Sequence, residues 1–287
     1  MTRTPEIDRL YEEVLDYRRT TDFKDLIKFV SRFRHLSPYN AMLVHIQKPG
    51  SVYVASADDW HSRFHRYVKA GARPLLILKP FGPVSFVYEY NDTDGEPLPD
   101  EFVRPFATNS SVSKDELYMI IRGAGFDGIN VVRQRYGTHL AGRIEFSPHH
   151  VVLRIKYREQ ICDIRSHFSI VLNEHSSVAE QFTTMLHELG HFYCGHLNCN
   201  GMKWLPHRIT LEEESAEFEA ETVCWIVCNR LGIRSDSVKY LAEYLETNEF
   251  IPCVSVDAIM KAAGIIESHI AGSTRPRKEL LIKDNPQ

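Results

Sequence analysis

The stretch 177–195 narrows the possible folds more than any other, because it carries His187-Glu188-Leu189-Gly190-His191 inside an amphipathic repeat. An α-helix turns once in about 3.6 residues, so the imidazoles of His187 and His191 leave from one face and can share a zinc ion. Glu188 lies beside them, placed to take a proton from water and not to bind the metal. Ser177 followed by Glu180 is a capping-box pattern that fixes where this helix starts. A chain built around such a helix needs a second element to bring one more ligand to the same spot.

In metzincins that ligand is a His six residues after the second one; here the position holds Leu197, and Gly195 and His196 are out of register. The remaining arrangement is a gluzincin-like Glu from a second helix, and 211–231 offers Glu212, Glu213, Glu214, Glu217, Glu219 and Glu221. Ala216, Ala220, Val223, Cys224, Val227 and Leu231 form the apolar stripe of that helix. At about 100° per residue, Glu217 falls about 60° from the stripe centre, Glu221 about 100° on the same side and Glu219 about 100° on the other. Glu217 is therefore the expected third ligand, with Glu213 and Glu219 as alternatives. Glu221, one turn later, is placed to accept a hydrogen bond from a ligating imidazole. Glu212 to Glu214 sit in the first turn, where acidic residues suit the helix dipole. Two neutral His, one carboxylate and an open position make the ligand set of catalytic zinc, with peptide hydrolysis as the implied chemistry and Glu188 as its base.

The chain has 287 residues, 43% hydrophobic and 25% charged, a soluble globular profile long enough for about two domains. No run of about 18 apolar residues occurs, and residues 1–16 mix Arg, Glu and Asp through their apolar positions. Neither a membrane span nor a signal peptide is expected, which makes the cytoplasm the default location. Six cysteines without a C-x-x-C pair point to reduced thiols and away from a zinc ribbon.

Helical spacing runs over 6–34 (Leu10, Val14, Tyr17, Leu26, Phe29, Val30, Phe33) and over 38–45. Segments 52–55, 75–78 and 84–90 have strand character around a helix at 57–69. Residues 91–113 have linker composition, which puts a domain boundary near 112. Ser113 with Glu116 then caps a helix, 144–146, 151–155 and 168–172 suit strands of a small sheet, and short helices around 238–245 and 256–264 close the fold. The expectation is α+β throughout: a small basic α+β domain over 1–112, a zincin-like, gluzincin-type domain over 113–272, and a loose tail over 273–287.

Charge is unevenly spread. Residues 23–80 carry ten basic side chains against three acidic, a net +7, while the rest carries 24 against 35, a net −11. A basic groove interleaved with aromatic rings has the cations and flat faces that a nucleic-acid single strand needs. The expected contacts are Lys24, Lys28, Arg32, Arg34, Tyr39, Trp60, Arg63 and Lys69.

The pair of motifs, His187-Glu188-Leu189-Gly190-His191 and Glu217-Phe218-Glu219-Ala220-Glu221, resembles the ImmA/IrrE family of zinc metallopeptidases. That resemblance implies Zn2+ as cofactor, His187, His191 and Glu217 as its ligands, Glu188 as base, and a regulatory protein as substrate. Glu221 stands where that family often has Asn or Asp. In the front half, Ser37-Pro38-Tyr39-Asn40-Ala41, Gln47-Lys48-Pro49-Gly50, Trp60 and Lys69-Ala70-Gly71-Ala72-Arg73-Pro74 look like the N-terminal domain of ArdC-type antirestriction proteins, which bind single-stranded DNA. This second likeness implies an alternative function, a DNA-binding antirestriction or accessory protein with a structural or weakly active zinc domain. No membrane partner is expected.

Overall fold

The computed structural model describes residues 17, 19–79, 82–99, 102, 111–135, 142–147, 151–199, 201–233 and 237–282. Its first elements are helices α1 (Thr20–Arg32) and α2 (Pro38–Gln47). Phe23, Leu26, Ile27 and Val30 recur at helical spacing and are fully buried, so the apolar stripe of α1 faces a partner. α2 starts where the Ser37 side chain accepts from the Asn40 N–H, with Pro38 at a position whose missing N–H costs nothing. The upstream part of the expected first helix, with Leu10 and Val14, lies outside the described residues.

A small satellite follows, made of β1 (Val54–Ala55), α3 (Ala57–Phe64), β2 (Arg66–Val68), β3 (Leu75–Lys79), β4 (Gly82–Glu89) and β5 (Thr93–Gly95). Strands β1, β4 and β3 form one antiparallel sheet in that order, and β2 pairs with β5. The helix expected over 57–69 stops at Phe64, because His65 adopts a left-handed φ of 51° that turns the chain into β2. Tyr53, Trp60, Phe64 and Leu98 make the satellite's own small core.

The second half runs α4 (Lys114–Phe126), β6 (Ile129–Gln134), β7 (Gly142–Phe146), β8 (Val152–Tyr157), β9 (Gln160–Arg165), β10 (Phe168–Asn173), α5 (Val178–Cys194), α6 (Glu213–Leu231), α7 (Ser237–Thr247) and α8 (Val256–Ile270). β10 is central in its sheet, parallel to β6 and antiparallel to β7, and β8 with β9 makes a separate hairpin. Helices α5 and α6 pack side by side with α8 against both. Their close approach depends on Gly190 of α5, where a Cβ would lie 3.0 Å from the Ala220 Cα of α6.

The core does not part near residue 112. Phe23, Leu26, Val30 and Met42 share one apolar cluster with Ile170, Leu189, Val223, Ile226 and Ile259. Arg230 of α6, 6% exposed, donates to the carbonyls of Val30, Phe33 and Leu36 at 2.7, 3.0 and 2.6 Å and pairs with Glu267 of α8 at 2.5 Å. α1 and α2 thus complete the core of the second half, because α6 and α8 are the surfaces that cover their apolar faces. The tail is likewise tied down as far as residue 282. Arg277 N–H donates to Phe126 O, Arg165 N–H to Leu280 O and Ile282 N–H to Asp163 O, and Leu280 is buried; residues 283–287 lie outside the description. No described helix is long and apolar enough to cross a membrane.

Candidate metal centre

The capping box forms as read from the sequence: the Ser177 side chain accepts from Glu180 N–H, and Ser177 N–H donates to the Glu180 carboxylate at 2.6 Å. From that start α5 delivers His187 and His191 to its face toward α6, with their Nε2 atoms 3.0 Å apart. Glu217 of α6 sets Oε2 3.4 Å from His187 Nε2 and Oε1 3.4 Å from His191 Nε2. Tetrahedral zinc with bonds of about 2.0–2.1 Å separates its donors by about 3.3–3.4 Å, so this donor set fits such an ion. Glu213 is exposed in the first turn of α6 and Glu219 lies on the other side of that helix, outside the converging group.

Glu221 stands one turn beyond Glu217 with Oε1 3.3 Å from His187 Nδ1; its buried Oε2 has no hydrogen-bond partner among the described residues. Glu188 is 9% exposed and accepts from the Ile144 N–H of β7 at 2.8 Å. Between β7 and α5 opens a cleft of about 320 Å³ lined by Gly142, Thr183, Thr184, His187, Glu188 and Glu221. A Cβ at Gly142 would lie 2.5 Å from Thr184 Cγ2, so glycine lets the strand run this close to α5.

Electrostatics within the cluster are strongly coupled. Burial pushes the Glu188 carboxyl up, against the opposing pull of His187, His191 and the Ile144 N–H. Burial works against a charged His187, yet the hydrogen bonds it donates to the Glu217 and Glu221 carboxylates carry it up to about 10. The same imidazoles hold Glu217 well below the ordinary carboxylate range. A proton on His187 thus supplies positive charge where the carboxylates converge when no cation is bound.

Two contacts at the centre escaped sequence reasoning. Ile144 acts through its backbone, which leaves no side-chain signature. His196, set aside on spacing grounds, is folded back by the left-handed Gly195 until its Nδ1 is 3.0 Å from His191 Nδ1; a glycine directly after the helix was the only sign.

The basic front does not make the aromatic groove expected of it. Trp60 is fully buried and donates from Nε1 to Tyr88 O at 2.8 Å, so it has no face to offer a base. Tyr39 OH bonds Asp257 at 3.1 Å, and Arg34 donates to Asn229 O at 2.8 Å; both tie the front to the second half of the chain. Arg32 donates to Ser51 O at 3.0 Å, and Lys69 to Asn91 O at 2.9 Å. Lys28 and Arg63 are exposed and Lys24 is half-buried. Of the two rings among the expected contacts, Trp60 is in the core and Tyr39 is half-buried.

Two imidazoles and a carboxylate converge beside a buried Glu, a donor set that could hold one metal ion. Residues 128–223 match the model of the IrrE N-terminal-like domain of peptidase family M78, and the ImmA/IrrE resemblance is borne out over that span. The match runs from the turn before β6 into α6 and takes in His187, Glu188, His191, Glu217 and Glu221. Among solved structures, the antirestriction protein ArdC from plasmid R388 in its Mn(II)-bound form superposes with a TM-score of 0.36 at 14% identity, over 83% of this chain and 86% of that one. Its metal-free form gives 0.33 at the same identity and coverage. TM-scores this low establish no shared fold. No curated protein matches the chain.

Proposed function

We propose that this protein is a zinc-dependent endopeptidase acting on a protein substrate, with His187, His191 and Glu217 as ligands and Glu188 as the base. The observation that carries the reading is the convergence of three neutralisable donors around one point, beside a buried carboxylate that takes no part in the ligand set. Bound zinc supplies Lewis acidity, activating water and polarising the scissile carbonyl. The chain does the rest. Ile144 N–H holds one oxygen of Glu188, so the carboxylate stays oriented while it takes a proton from the attacking water and passes it to the leaving amine. Burial raises the proton affinity of Glu188, which suits a group that must hold a proton between those two steps. Among the described residues β7 pairs with β10 on one side only, so its other edge, running past Glu188, can align an extended peptide by main-chain hydrogen bonds. A regulatory protein with an extended, exposed segment is the substrate this cleft suits.

Elemental analysis of the purified protein, paired with proteolysis of an unfolded test substrate by wild type and Glu188→Gln, tests the proposal. The expected result is one zinc per chain in both proteins and cleavage by the wild type alone. Zinc well below stoichiometry in the wild type, or full cleavage by the variant, would overturn it. A second reading, binding of single-stranded DNA, retains the exposed Lys28 and Arg63 as support. It predicts phosphate contacts with little stacking, and thus a salt-sensitive oligonucleotide shift lost in Lys28→Ala with Arg63→Ala.

A further inference from the structure

We infer that His196, Glu219 and Arg208 form a proton-ordered relay that positions His191 from behind and fixes which of its nitrogens faces the metal. The inference rests on the zinc reading above. It starts at the C-terminus of α5, where Gly195 N–H donates to Phe192 O at 3.1 Å and His196 N–H to His191 O at 3.0 Å. That pair of bonds is the Schellman arrangement, and it requires a left-handed residue at 195; Gly195 has φ 79°. Any side chain at 195 would also strike Pro206 O, 2.3 Å from a Cβ there. The turn folds His196 back along the helix, so the residue that bonds the His191 carbonyl through its N–H also meets the His191 ring, Nδ1 to Nδ1 at 3.0 Å.

Beyond His196 every proton has one consistent place. His196 Nε2 is 2.9 Å from Glu219 Oε2. Glu219, fully buried, accepts two bonds from the Arg208 guanidinium, at 2.5 and 2.6 Å, and one from Ser255 N–H at 2.6 Å. A carboxylate so surrounded by donors is ionised and can only accept, so His196 Nε2 carries a hydrogen and donates it. With Nε2 as the donor, the neutral form of the His196 ring has a bare Nδ1, and that is the form that can accept from His191. His191 Nδ1 therefore holds its hydrogen, and the lone pair is left on Nε2, the nitrogen that faces His187 and Glu217. Cys194, His196 and Glu219 could be mistaken for a second metal cluster, but a cation there would sit against the Arg208 guanidinium, which already satisfies the carboxylate. His187 has its own partner in Glu221. The two ligating rings are thus held by different devices, a single carboxylate for one and a three-residue relay for the other.

The test is zinc affinity by chelator competition on the full chain, with the visible spectrum of the cobalt-substituted protein and ¹⁵N-histidine NMR of the zinc-loaded wild type. The expected result is zinc binding weakened by about 10–100-fold in His196→Ala, with an altered cobalt spectrum and partial rescue in His196→Gln, whose carbonyl can still accept. In the wild type, NMR should show His191 protonated at Nδ1 and His196 at Nε2. Wild-type affinity and an unchanged cobalt spectrum in His196→Ala would refute the relay while leaving the zinc reading intact, as would the opposite tautomers in the wild type, which need no variant to fold. Absence of zinc from the wild type would defeat both.

Discussion

At the level of single residues, the proposed ligand Glu217 and the proposed base Glu188 sit in different surroundings. Glu217 is half-exposed and lies between the two Nε2 atoms, whereas Glu188 is buried and tied to β7. Glu188→Gln should therefore lower kcat by about 10²–10⁴-fold with zinc content unchanged. Glu217→Ala should lose zinc; retained zinc would shift the ligand assignment elsewhere. His187 also sets a pH dependence. In the zinc-free protein its pKa rises from 6.5 to about 10, so the stability it contributes is complete below about 6.5 and is lost as the pH climbs through about 10. Thermal midpoints of the chelated protein should fall between pH 7 and 10, and Glu221→Gln should flatten the slope. Zinc must displace the same proton, so its affinity should rise over that interval, with proton release visible by calorimetry in buffers of different ionisation enthalpy. A flat profile for the chelated wild type would contradict this account.

Between elements, the pairing of α5 with α6 makes the centre, and it was largely legible beforehand. Capping boxes and the spacing of His187 and His191 are local properties and survive into the structure; the one-sided apolar stripe read on α6 does not, since Phe218, Glu219, Thr222, Ile226 and Cys228 are buried as well and Ala216 only half-buried. The strands were harder to read. β6 ends in Arg133 and Gln134 and is defined by a distant partner, β10; β9 sets Cys162 and Asp163 side by side between its two Ile, which breaks the alternation a strand shows, and is defined by its hairpin with β8. The contact at Gly190 depends on the same helix pair. Gly190→Ala places a methyl 3.0 Å from backbone at Ala220, which should cost about 1–3 kcal/mol and weaken zinc binding by moving Glu217 away from the imidazoles. Because the nearest atom is a backbone Cα, Ala220→Gly should not restore it. Chemical denaturation together with zinc affinity in the single and double variants checks both statements.

For the molecule as a whole, the main lesson is that α1 and α2 share a core with the second half while the satellite keeps a small core of its own. Linker composition near 91–113 is a surface property, whereas the burial of α1 and α2 depends on faces of α6 and α8 that follow far along the chain. Arg230 joins the two parts, and its replacement by Met should destabilise the chain by about 3–5 kcal/mol, because Glu267 and several carbonyls lose their donor in a buried place. Unfolding of the wild type followed by far-UV signal and by Trp fluorescence should coincide for the shared core. A fragment beginning at 113 should fail to give a cooperative transition, and a sharp one from that fragment would show that the front is dispensable. The Arg230 clamp also has a consequence for ancestry. A chain whose leading helices are stitched to its second half by a buried guanidinium has no seam for recombination to cut, so relatives should inherit the two parts together and vary instead in the satellite inserted between them.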